Sequence, residues 1–127
     1  AHPVGCAVDL RNLRIIEDED LPGQCAAKGD RLIGALRTAL GDHPHVGDIR
    51  GKGLMCAVEL VADRSTKQSF PAGDKVGSRI HQEAAGRGLF SRVKADTYLL
   101  APPAVITDDQ LDRTVEILSD SIHAVLG

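Results

Sequence analysis

Aromatic residues are nearly absent from the chain: two Phe, one Tyr and no Trp in 127 residues. That scarcity removes the stacking platforms on which nucleobases are usually held. It also leaves the core to be built from Leu, Ile, Val and Ala. Positive charge is not in excess either, with 15 Lys and Arg against 18 Asp and Glu and a net charge of −3. A surface for nucleic acid or for an anionic membrane is therefore not expected. No apolar run approaches the length of a membrane span, and no signal-peptide pattern opens the chain. The three cysteines, Cys6, Cys25 and Cys56, are widely spaced and form no CxxC pair. This argues against a disulfide framework or a zinc site and fits a reducing, cytoplasmic setting. Repeats and low-complexity segments are missing as well.

What remains is ordinary for a soluble globular chain, 43% hydrophobic and 26% charged, and long enough for one modest core. It begins at Ala1 rather than Met, as a piece of a longer protein would. Pro3 suits a first helical turn, and Val4, Ala7, Val8, Leu10, Leu13 and Ile16 predict a helix to about Glu17. Asp18 or Asp20 can cap a second helix. That helix carries Leu21, Cys25, Leu32, Leu36 and Leu40 at helical spacing and stops at Gly41. Two strands follow, Val46 to Arg50 and Leu54 to Leu60, with Gly51-Lys52-Gly53 as the hairpin turn between them. After a polar loop, Val76, Ile80 and Ala84 mark a third helix that ends near Gly86 or Gly88. Leu89 to Arg92 and Thr97 to Leu100 read as further strands. Pro102 and Pro103 lack the N–H a sheet ladder needs and end the last of them. Thr107 and Gln110 fit a capping box, and Leu111, Val115, Leu118, Ile122 and Val125 form the stripe of a final helix. The order predicts an α+β fold, a small, mostly antiparallel sheet with helices on one face. Residues 1–20 read as a linking helix and residues 21–127 as the domain proper.

Few residues invite chemistry. Arg50 to Met55 contains a glycine pattern, but a phosphate loop leads into a helix, and here a strand follows. His43 and His45 flanked by Asp42 and Asp48 lack a third ligand at a convincing spacing, which points to a solvated loop. His81 and His123 read as surface or boundary positions. No nucleophile motif occurs. Lys28, Lys52, Lys67, Lys75 and Lys94 all read as exposed. Asp108 and Asp109 suit the first turn of the last helix. Arg92 alone stands out, at the tip of a short strand beside Leu89 and Phe90. It offers a planar fork to a carboxylate, or else it is a surface arginine paired with Asp96.

Two segments carry a resemblance. GDIRGKGLMCAVELV, Gly47 to Val61, and RGLFSRVKADTYLLAPPAVIT, Arg87 to Thr107, resemble the C-terminal part of class III aminotransferases. These are the pyridoxal-phosphate-dependent ω-amino acid–pyruvate type transaminases. His2 to Leu21 resembles the stretch that enters their small domain. The resemblance implies a small C-terminal domain of a dimeric fold-type-I enzyme that moves an amino group from an amine or amino acid to a keto acid such as pyruvate. It implies a substrate-binding role for Arg92, swinging in toward a carboxylate and out to admit an uncharged side chain. Where the family commonly has Gly before the aspartate, this chain has Ala95 before Asp96. The Schiff-base lysine, the aspartate under the pyridine nitrogen, the stacked aromatic and the partner subunit's phosphate-binding threonine would all lie upstream. The isolated chain is accordingly expected to be inactive and to bind no pyridoxal 5'-phosphate by itself. The other class of reading is a non-catalytic α+β binding or assembly module.

Overall fold

A computed structural model describes residues 2–127; Ala1, the first residue of the segment read as a linker, lies outside them. Four helices and four strands follow the order α-α-β-β-α-β-β-α. They are α1 (Pro3–Asp18), α2 (Leu21–Leu40), β1 (Val46–Lys52), β2 (Met55–Leu60), α3 (Val76–Gly86), β3 (Arg92–Lys94), β4 (Thr97–Leu100) and α4 (Asp108–Leu126). The strands form one sheet in the order β1-β2-β4-β3, and every pair is antiparallel.

Helix starts follow the local chemistry. Pro3 opens α1 without a side-chain cap. The Asp20 carboxylate accepts the Gly23 N–H at 3.3 Å and starts α2. Thr107 and Gln110 form the full capping box of α4. The caps of α2 and α4 satisfy N–H groups that the helix itself leaves free. Along α4 the buried positions include Leu111, Val115, Leu118 and Ile122, the stripe that the spacing predicts. Leu32, Leu36 and Leu40 form the matching stripe on α2.

Alternation along the strands sends Cys56, Val58 and Leu60 of β2 and Tyr98 and Leu100 of β4 into the core. There they meet the leucines of α2 and the stripes of α3 and α4. Helix α1 stands apart. None of its residues is buried, and Val4, Val8, Leu10 and Leu13 are all exposed.

Two boundaries differ from those the sequence predicts. The first strand runs on to Lys52, which pairs with Met55, so the turn is Gly53-Leu54 rather than Gly51-Lys52-Gly53. Gly53 takes φ +55 there, and Gly29 of α2 packs so closely on its backbone that a Cβ would overlap it. The second correction concerns β3, which covers Arg92–Lys94 and not Leu89 to Arg92. Leu89 is spent on the end of α3, where its N–H reaches the Ala84 carbonyl at 2.9 Å. Gly88 permits this turn with φ +96. Arg92 therefore opens its strand instead of ending it.

The link from β3 to β4 is only Ala95-Asp96. Ala95 adopts φ +51, a conformation that favours glycine. The Asp96 Oδ1 accepts the Gly77 N–H at 3.1 Å, in the first turn of α3. A Cβ on Gly77 would collide with the Ala95 carbonyl and with Val93. Relief of the left-handed Ala, less the entropy of a new glycine, predicts that Ala95→Gly stabilises the fold by up to about 1 kcal/mol. Overpacking predicts that Gly77→Ala costs about 1–3 kcal/mol. Urea unfolding midpoints of the two variants check both signs; movement in the same direction would disprove this account of the turn.

Candidate functional site

The side chains that alternate away from the core line up across the outer face of the sheet. Arg50 is opposite Ala57, Ala57 opposite Leu99, and Leu99 opposite Arg92. The four make one rung, with its two arginines on the two edge strands. Three strand gaps separate them, about 14 Å between backbones. The neighbouring rung holds Asp48, Glu59, Thr97 and Lys94.

The two arginines have different surroundings. The Arg50 guanidinium donates to Glu59 Oε2 at 2.7 Å and to Asp48 Oδ2 at 3.0 Å. Both hydrogen bonds, Glu59 first, hold its pKa above the ordinary arginine value. Arg92 has no ion-pair partner among the described residues. Of the two readings open for Arg92, the pair with Asp96 is not formed, because that carboxylate caps α3. Ala95 takes the left-handed turn that a glycine would take at this point.

Arg92 borders an open groove of about 920 Å³, lined also by Phe90, Leu99, Pro102, Pro103 and Arg50. That volume falls in the range of small-molecule sites. Phe90 is 89% exposed and Met55, also on the groove, is exposed as well. The hydroxyl of Ser91 donates to the Leu99 carbonyl and ties together two residues that line the groove. An unpaired guanidinium beside apolar walls can pair with a carboxylate carried on a short carbon chain.

Other candidates drop out on their surroundings. Cys56 lines the groove but is buried, and burial pushes its thiol up to about 11, so it remains protonated and unreactive. Lys28 is half-buried rather than exposed, and its Nζ donates to the Ala104 carbonyl at 2.6 Å. That bond ties α2 to the loop behind the double proline. Lys52, Lys67, Lys75 and Lys94 are exposed. Asp108 and Asp112 on α4 engage Arg31 of α2, at 3.6 and 2.7 Å. The segment from Arg50 to Met55 is the hairpin, with its backbone committed to strand pairing.

His43 contradicts the expectation of a solvated loop: it is only 7% exposed. The turn after α2 folds it inward, where its ring stands edge-on to His123 of α4 with centroids 5.0 Å apart. Its Nδ1 accepts the His45 N–H at 3.1 Å, and its Nε2 is buried without a partner. The polar neighbours Asp42 and His45 gave no hint of this burial, because no apolar period marks a turn. Among the described residues no group of three His, Cys, Asp or Glu converges on a metal position.

Burial first, then His123 and His45, lower the pKa of His43. The unfolded chain binds that proton near the ordinary value of about 6.5. Stability from neutral His43 is therefore fully present above that value and lost as the pH falls below it. Urea unfolding between about pH 7.5 and 5.5 should show a declining midpoint. His43→Asn keeps an acceptor for the His45 N–H and should flatten the decline. An equally steep decline in that variant would rule out His43 as its source.

The sequence profile of the aminotransferase class-III family matches residues 1–122. The adenosylmethionine-8-amino-7-oxononanoate aminotransferase of Geobacter sulfurreducens is 40% identical over 126 residues, covering 99% of this chain and 28% of that protein. An (S)-enantioselective omega-transaminase from Thermomicrobium roseum superposes with a TM-score of 0.91 at 39% identity, over 99% of this chain and 28% of that one. A Vibrio fluvialis aminotransferase, solved in a PMP-bound form, superposes with a TM-score of 0.90 at 30% identity, over 98% of this chain and 27% of that one. The chain thus spans less than a third of the length of the relatives it matches.

Proposed function

Because the chain belongs to the class-III aminotransferases, we propose that it acts as the C-terminal small domain of a pyridoxal-phosphate-dependent transaminase. The complete enzyme moves an amino group from an amine or amino acid to a keto acid such as pyruvate, and works as a cytoplasmic homodimer. Residues 21–127 are the domain proper, and α1 within residues 1–20 is the link to the cofactor-bearing part of the enzyme. That no residue of α1 is fully buried, with Val4, Val8, Leu10 and Leu13 exposed, supports that linking role. Among the described residues no helix is long and apolar enough to cross a membrane.

When bound, pyridoxal phosphate supplies the electron sink for the transfer. The residues of this chain do not suit it. Its lysines stand at exposed positions or, for Lys28, on a backbone carbonyl, and its glycine pattern forms a hairpin in place of a phosphate cradle. On this reading the lysine that holds the cofactor and the groups around it belong to the remainder of the enzyme, and the isolated chain is inactive.

This chain contributes Arg92. The observation that carries this role is its unpaired guanidinium on the rim of a ligand-sized apolar groove, while its neighbouring carboxylate is engaged elsewhere. A charge-assisted bond to a substrate carboxylate is worth about 1.5–3 kcal/mol. In the complete enzyme, Arg92→Ala should lower kcat/KM for a keto acid by about tenfold or more, one decade being about 1.4 kcal/mol. The half-reaction with an uncharged amine should be unaffected. Unchanged keto-acid kinetics beside an intact amine half-reaction would remove Arg92 from the role.

A further inference from the structure

Lys94 stands two residues beyond Arg92 on the edge strand β3, and the alternation of a strand gives both side chains the same outer face. The pairings Arg92 with Leu99 and Lys94 with Thr97 place them on adjacent rungs. Successive same-face residues of a strand stand about 6.6 Å apart. Both are exposed, and neither has an ion-pair partner among the described residues.

The nearest acids on this face are already taken. Asp48 and Glu59 share the single cation Arg50 on the far side of the sheet, and Asp96 caps α3. Charge on the face is therefore divided. On its β1–β2 side two carboxylates share the one paired cation Arg50, and its β3 edge presents two cations without ion-pair partners at one strand repeat.

Resting on the transaminase reading above, we infer that Lys94 is a specificity-determining residue that binds a second anionic group of the substrate while Arg92 holds the first. The substrates favoured are those with two carboxylates separated by two or three methylene groups, a spacing that suits heads one strand repeat apart. An ammonium on a flexible stem suits this second contact, because it accepts an anion over a range of directions where a guanidinium demands a planar fit. Monocarboxylic keto acids use Arg92 alone and gain nothing from Lys94. Charged side chains on an edge strand also discourage pairing with other sheets, and the test separates that role from this one.

The complete, cofactor-loaded enzyme is assayed with pyruvate and with 2-oxoglutarate as acceptors, and calorimetry measures its binding of glutarate and of butyrate. Lys94→Met should lower kcat/KM for 2-oxoglutarate and affinity for glutarate by about tenfold, with pyruvate and butyrate changing less than about twofold. Lys94→Arg should restore part of the loss. Equal effects of Lys94→Met on the mono- and dicarboxylates, or no effect on either, would overturn the inference and leave Lys94 as edge protection. Absence of amino transfer in the unmutated enzyme would instead overturn the transaminase reading itself.

Discussion

One carboxylate at a two-residue turn sets the position of everything proposed for this chain. Asp96 turns back onto the first turn of α3, accepts the Gly77 N–H, and closes the turn between β3 and β4. The contact works only because Gly77 has no Cβ to strike the Ala95 carbonyl, and because Ala95 accepts a left-handed backbone. Capping a helix end and seating a strand turn are thus one event. It ties the short edge strand β3, which has only one sheet neighbour, to the core. It also occupies the carboxylate nearest in sequence to Arg92, which has no ion-pair partner among the described residues.

The two faces of the sheet then divide the labour. Inward, Val58, Leu60, Tyr98 and Leu100 pack against α2, α3 and α4 and provide the apolar burial that drives folding. Outward, the sheet carries on its two edge strands one arginine locked between two acids and another left free. An exposed ion pair adds little to stability, so the Arg50 cluster matters mainly for charge balance. It consumes the acids of the face and leaves the β3 edge positive. The fold makes no energetic demand on Arg92, which leaves that side chain available to a ligand.

Most of the fold was legible because its signals are periodic. The leucine stripe of α2, the capping box at Thr107 and the alternation of β2 each repeat at a fixed interval, and each appears where the spacing predicts. The misreadings fall at ends and turns, where one local bond outweighs the pattern. Leu89 and Phe90 read as strand, yet the Leu89 N–H closes α3 and the strand starts later. Gly51 and Gly53 both promised a turn, and pairing of Lys52 with Met55 decided between them. His43 read as solvated because its burial comes from α4, some eighty residues away in sequence. For the site, residue types alone left Arg92 undecided between a partner at Asp96 and a ligand. The direction in which Asp96 points removes the first of these, and that direction is set by Gly77 on another element.

The family resemblance seen in the glycine hairpin and in the segment from Arg92 to the double proline agrees with the transaminase folds that superpose on nearly the whole chain. The central claim is that Arg92 meets the substrate carboxylate. A crystal structure of the complete, cofactor-loaded enzyme with an unreactive carboxylate bound in its active site tests this most directly. The account predicts the Arg92 guanidinium in a two-pronged contact with that carboxylate, at ordinary charge-assisted distances of about 2.7–2.9 Å. A carboxylate held wholly by other residues, with Arg92 turned into solvent, would contradict it.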